Sequence, residues 1–266
     1  MGDTVTIRLG AMNDPRRRLV GEIEWIGANG FDFLDLRLEA PAAAVESTDW
    51  RAICGALHDH NVGVICRAAP DIPVEHASPL VRQAALDEMR RALDVAGLVG
   101  ASLCTTRFRA WPAHLSEDAG YEYYRQLYEI LIKHGEAQGV AVALENRPQN
   151  AHQLKWFREI FHRLPGLKLC YNVAHGHVQT VQSMTREYLF ALADRLAHVR
   201  ISDNDGRDAT YLPFGAPIAS GLDLRRELQT LRSFRYAGSL TLEILGERRW
   251  LLGCAQMVRE QWPLAA

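Results

Sequence analysis

The 266-residue chain has no CxxC pair, and its five cysteines (Cys54, Cys66, Cys104, Cys170 and Cys254) are scattered and odd in number. A disulfide framework and a thiolate zinc ribbon are thereby excluded, and free thiols in a reducing cytoplasm are expected. Charge of one sign is also lacking: 30 Lys and Arg against 32 Asp and Glu leave a net charge of −2. No strong field favours nucleic acid or a membrane surface. No apolar run approaches the roughly 20 residues that a membrane span needs. The N-terminal MGDTVTIRLG has no apolar core of a secretory signal. Its likeness to a myristoylation start is set aside, because Val5 to Leu9 fits a first strand and the high Ala and Arg content looks bacterial. No glycine-rich phosphate turn follows that strand, since RLGAMND is not GxGxxG. Linkers and low-complexity segments are missing too, so one domain over residues 1–266 is expected.

What is present is an alternation. Short apolar runs (TVTIRLG, FDFLDLRL, GVICR, ASLCTTR, VAVALEN, LKLCYN, AHVRISD and SLTLEIL) punctuate longer amphipathic stretches. They start roughly 25 to 40 residues apart, the size of one strand-plus-helix unit. SPLVRQAALDEMRRALDVAG has Ser78 as a candidate cap, Pro79 at the first helical position and Gly97 near the end. GYEYYRQLYEILIKHGEAQG keeps a 3.6-residue apolar period up to Gly139, and DLRRELQTLRSF opens on the candidate cap Asp223. Eight such units predict an α/β fold, a (β/α)8 TIM barrel of about 250 residues. A doubly wound open sheet is the alternative.

Barrel chemistry sits at the carboxyl ends of the strands, so the last residues of each run carry the functional reading. GVAVALENRP ends in Glu145, Asn146 and Arg147, and Pro148 blocks further pairing. The other runs end in Asp35 and Arg37, in Arg67, in Arg107, in Asn172 followed by His175 and His177, and in Arg200, Ser202 and Asp203. The last run carries Glu243 between Leu242 and Ile244. Burying an ionised carboxylate costs several kcal/mol unless it is paired, so Glu243 requires a partner. Any one arginine of the set reads equally as a structural ion-pair residue. His58, His60, His114, His134, His152 and His162 fall in helices or outer loops, and HDHN at 58–61 lies at a helix C-terminus on the far face.

These motifs resemble the xylose isomerase-like barrel family, which includes sugar isomerases and epimerases, inosose and dehydroshikimate dehydratases, and endonuclease IV. GFDFLDLRLE is similar to the family's second strand, VALEN to its fifth, LCYNVAHGH to its sixth-strand D-x-G-H, HVRISDNDGRDATYLPFG to its seventh, and LTLEI to its eighth. In the family, Glu, Asp, His and Glu from strands 5 to 8 bind one divalent ion. Glu145 and Glu243 match; Asn172 stands at the Asp position, Arg200 at the His position and Tyr211 near the family's loop His. Arginine has no lone pair to offer a metal, yet its planar fork suits carboxylates. The resemblance thus implies a site in which guanidinium groups have taken over an ion's charge.

The expected function is a cytoplasmic isomerase or epimerase of sugar metabolism, moving a proton α to a carbonyl of a small polyhydroxylated or anionic substrate. Glu145 and Glu243 exchange the proton, and Arg200 and His175 complete the catalytic set, with Asn172 helping to stabilise the enediolate. Arg67, Arg107, Arg147, Asn172, Asp203 and Arg207 are the expected substrate-binding residues. No cofactor and no tightly bound metal is expected. The alternatives are a dehydratase on the same scaffold, a Mn2+- or Mg2+-dependent isomerase using Glu145, Glu243 and His175, and a non-catalytic small-molecule-binding barrel. A role like that of endonuclease IV is disfavoured, since the chain is not basic. No nucleic-acid or membrane partner is expected; a homodimer is compatible with the composition.

Overall fold

Residues 6–148, 153–216 and 221–262 are described by the structure, a computed structural model. Among them eight strands close into a barrel in chain order. The strands are β1 (Arg8–Met12), β2 (Phe33–Leu38), β3 (Gly63–Ala68), β4 (Leu103–Arg107), β5 (Ala141–Glu145), β6 (Lys168–Asn172), β7 (Leu196–Ile201) and β8 (Ser239–Leu242). The helices are α1 (Leu19–Ala28), α2 (Trp50–Asp59), α3 (Pro79–Leu98), α4 (Glu117–Ala137), α5 (Gln153–Arg163), α6 (Val173–His177), α7 (Thr185–Leu192), α8 (Leu224–Ser233) and α9 (Arg248–Gln261). The expected (β/α)8 architecture is therefore present. No described helix is long and apolar enough to cross a membrane.

Chain contacts group these elements into two compact units, one of Met12–Glu145 and Lys155–Lys168, the other of Met1–Ala11, Asn146–Leu154 and Leu169–Ala266. In the first, parallel pairing sets Arg37 beside Arg67, Arg67 beside Thr105 and Arg107 beside Glu145. Thr106 turns outward, its hydroxyl 2.7 Å from that of Tyr128 on α4. Because strand side chains alternate, its neighbours Thr105 and Arg107 face the barrel interior. Helix α4 forms because Ser116 accepts from the Ala119 N–H, Glu117 and Asp118 sit in its first turn, and Tyr121, Tyr124, Tyr128 and Leu131 make one apolar face. That face closes tightly on the entry to β5: a Cβ on Gly135 would stand 2.5 Å from the Val140 carbonyl oxygen.

In the second unit, Asn172, Arg200, Thr241 and Gly10 follow one another in register across β6, β7, β8 and β1. His198 is fully buried between two hydroxyls, Nδ1 at 2.7 Å from Ser239 Oγ and Nε2 at 3.1 Å from Thr241 Oγ1. It is a satisfied core histidine.

Several boundaries differ from the sequence expectation. Val5 lies outside the described residues, and β1 starts at Arg8 because its register with β8 carries pairing through Gly10 to Ala11. Asp35 lies inside β2 rather than at its end, since pairing with β3 continues to Leu38. Glu243 lies one residue past β8, although its N–H still donates to Ile201 O at 3.0 Å. Helix α4 begins at Glu117, ahead of Gly120, where Ser116 supplies the cap. Ser78 precedes α3 but makes no side-chain cap bond, whereas Asp223 caps α8 by accepting from the Arg226 N–H. His152 is outside the described residues. None of the five cysteines forms a disulfide.

Candidate active site

The chain turns sharply at the ends of β5 and β6, and Asn146 holds the two turns together. Its side-chain amide donates to the Asn172 carbonyl oxygen at 3.0 Å and accepts from the Asn172 N–H at 2.6 Å. The backbone of Asn172 is thus fixed from both sides. The Asn172 side chain is fixed as well: Oδ1 accepts from the His175 N–H at 3.2 Å, capping α6, and Nδ2 donates to Glu243 Oε2 at 2.6 Å. All of these groups are buried. Reversing the amide would set oxygen against the carboxylate and N–H against N–H, so the network itself assigns the orientation.

His175 extends this network. Its Nδ1 lies 2.7 Å from the Asn146 carbonyl oxygen and its Nε2 lies 3.3 Å from the Tyr211 hydroxyl. A carbonyl can only accept, so Nδ1 carries the proton and, in the neutral ring, Nε2 carries the lone pair. Tyr211 reaches this point from a left-handed backbone, φ 53°. The loop that carries it is stapled by Asp203, which pairs with Leu212 through both backbone groups and accepts from the N–H groups of Asn204 and Leu222 at 2.8 and 2.7 Å. Burial pushes the Asp203 carboxyl above its ordinary range, against those two hydrogen bonds.

In the first unit, Glu145 is fully buried and its Oε2 lies 3.3 Å from Arg67 Nη2. Arg67 also reaches Met12 Sδ at 3.6 Å. Arg37 is engaged by both carboxylate oxygens of Glu39, at 3.0 and 2.8 Å. Arg107 ends β4 on the interior face, half-buried. Arg200 is fully buried and donates to Cys170 Sγ at 3.4 Å, one side-chain layer below its register partner Asn172. Arg147 and Arg207 are exposed; the Arg147 N–H donates to Gln153 Oε1 and the Arg207 N–H to Asp205 Oδ1.

Glu145, His175 and Glu243 form a buried group whose ligand atoms all lie within 4.8 Å of one another. Two carboxylates and an imidazole whose Nδ1–H is held by a carbonyl are a chemically sound set for a divalent cation. Arg67 and Asn172 each approach one oxygen of a carboxylate, Oε2 of Glu145 and Oε2 of Glu243 respectively. The residues present therefore fit such an ion, through the same set that the sequence offers for a bound metal. Sequence reasoning assigned no site role to Asn146, Tyr211 or Met12. The VALEN motif and the loop position of Tyr211 were the available signals for the first two; nothing marked Met12.

A closed (β/α)8 barrel with a buried acid–amide–imidazole network just beyond its strand ends is an established enzyme architecture. The chain belongs to the xylose isomerase-like TIM barrel family, whose model matches residues 23–261. Similar solved structures include 3-keto-D-glucoside 4-epimerase YcjR from E. coli, 17% identical over 96% of this chain and 100% of that one, with a TM-score of 0.78. A D-tagatose 3-epimerase-like protein is 16% identical over 96% of this chain and 97% of that one, with a TM-score of 0.81. D-allulose 3-epimerase from Methylomonas sp. is 15% identical over 99% of this chain and 100% of that one, with a TM-score of 0.77. At these identities the likeness establishes the fold. No curated protein gives a significant sequence match.

Proposed function

We propose that the chain is an isomerase or epimerase that moves a proton next to a carbonyl of a small, sugar-like substrate, with Mn2+ or Mg2+ held by Glu145, His175 and Glu243. The observation that carries this reading is the buried convergence of those three side chains within 4.8 Å. Epimerases of a 3-keto-glucoside and of D-allulose on the same fold support the reaction class. Between the metal-free and the ion-dependent isomerase expected from the sequence, the convergence supports the ion-dependent one better.

When bound, the ion supplies Lewis-acid polarisation of the substrate carbonyl. The chain's own residues do the rest. Asn172 holds Glu243 by its amide, so that carboxylate is oriented before substrate arrives. Asn146 fixes the imidazole tautomer by accepting from Nδ1, leaving Nε2 as the donor atom. Glu145 and Glu243 take the proton from the carbon beside the carbonyl and return it. Their burial excludes water from that exchange.

The test is isotope exchange. Ketoses and 3-keto-glycosides are incubated in D2O with the protein and Mn2+, and deuterium beside the carbonyl is read by mass spectrometry. Incorporation that disappears in Glu145→Gln and Glu243→Gln is expected. Incorporation that persists in both variants contradicts the reading.

A further inference from the structure

The interior arginines of the first unit differ in one respect: what faces each guanidinium. Arg37 is satisfied by both oxygens of Glu39. Arg67 is ion-paired with Glu145 at 3.3 Å. Arg109, two residues past β4, donates to Glu75 at 2.7 Å and to the Pro70 carbonyl at 3.1 Å. Arg107 has no such partner: among the described residues its buried Nε–H meets no acceptor and its guanidinium meets no carboxylate. A buried charged donor without an acceptor costs free energy unless something outside the chain completes it.

The position of Arg107 is also rigid. Its neighbour Phe108 donates its N–H to the Glu145 carbonyl at 2.9 Å and packs its ring 5.2 Å from Tyr124 and 5.3 Å from Phe157. The Tyr124 hydroxyl donates to the Arg109 carbonyl at 2.5 Å and accepts from the Arg109 N–H at 3.0 Å. The stem of Arg107 is therefore anchored on its C-terminal side, on the interior face, one layer above the buried Thr105. A fixed guanidinium with open donors is a ready receptor for two oxygens of an acid.

We propose that Arg107 is the anion-recognition residue of the site and that the substrate carries an acidic group, a carboxylate or a phosphate, on its polyhydroxylated chain. This rests on the isomerase reading and adds the substrate's charge. Arg67 is assigned to Glu145 rather than to the substrate.

The probes are three open-chain polyols that lack a carbonyl and cannot react: D-glucitol, D-gluconate and D-glucitol 6-phosphate. Because no turnover is involved, this experiment fails independently of the isotope-exchange test. Calorimetric titration of the wild-type chain is expected to show at least one acid binding about tenfold or more tighter than D-glucitol. The stronger of the two acids identifies the group. Arg107→Ala and Arg107→Gln are expected to remove the preference and leave D-glucitol unaffected, while Arg107→Lys retains part of it. Circular dichroism checks each variant's fold; if the alanine form does not fold, the glutamine and lysine forms carry the comparison. Acids that bind no tighter than D-glucitol, or a preference that survives in the variants, overturn the proposal.

Discussion

Asn172 donates its side-chain amide to Glu243 Oε2 across 2.6 Å while its Oδ1 caps the short helix at His175. A single side chain thus orients an acid and a backbone turn at once. Replacing Asn172 by Asp keeps the oxygen that accepts from the His175 N–H but sets a second carboxylate against Glu243. Without divalent ion, Asn172→Asp is expected to lose about 1–3 kcal/mol of stability. Millimolar Mn2+ is expected to raise its melting temperature by more than it raises that of the wild type. Thermal denaturation with and without Mn2+ checks both; an Asp variant as stable as wild type without the ion would show that the amide contact matters little.

Glu145→Gln and Glu243→Gln change size very little, so the barrel is expected to stay folded by circular dichroism. Proton exchange into substrate is expected to fall by about 10² to 10⁴ in each. Near-normal exchange in either variant would remove that residue from the proton-transfer role.

The strands were legible because apolar runs and turn residues repeat at a regular interval, and Glu145, Asn172, His175 and Glu243 were legible as polar residues at strand tips. What the residues could not state was who meets whom. Arg67 lies 3.3 Å from Glu145, and Arg200 donates to Cys170 Sγ one layer below its register partner Asn172; neither contact is marked in the sequence. Such pairings depend on barrel register and stagger, which side-chain spacing along one strand does not encode. Arg147 and Arg207 follow strand ends like the others, yet the loops turn them outward. The hold of Asn146 on Asn172 needs two turns 26 residues apart to be adjacent.

Glu227 on α8 is nearly fully buried, and one of its carboxylate oxygens meets no hydrogen-bond donor. Burial pushes its carboxyl above the ordinary 4.5, against hydrogen bonds from Thr185 and Ser183 that pull it down. A raised folded-state value means that the stabilising contribution is full below the unfolded value and is lost as pH rises through the folded one. Glu227→Gln is therefore expected to be more stable than wild type at pH 7, with the difference shrinking toward pH 4. Urea denaturation at the two pH values reads the difference, and an unchanged gap would contradict the assignment.

Gly135 has no room for a side chain, because a Cβ there would stand 2.5 Å from the Val140 carbonyl oxygen, a backbone atom at the entry to β5. Gly135→Ala gains helix propensity but must push α4 from the strand that ends in Glu145. A net loss of about 1–3 kcal/mol is expected, read by chemical denaturation. A more stable alanine variant would show that the helix yields without cost.

The central claim is that Glu145, His175 and Glu243 together hold one divalent ion. Chelator-treated protein titrated with Mn2+, with free Mn2+ followed by electron paramagnetic resonance, tests it directly and without substrate. One ion per chain is predicted, with affinity lost in Glu145→Gln, Glu243→Gln and His175→Ala alike. Absence of binding in the wild type, or binding that survives all three substitutions, contradicts it.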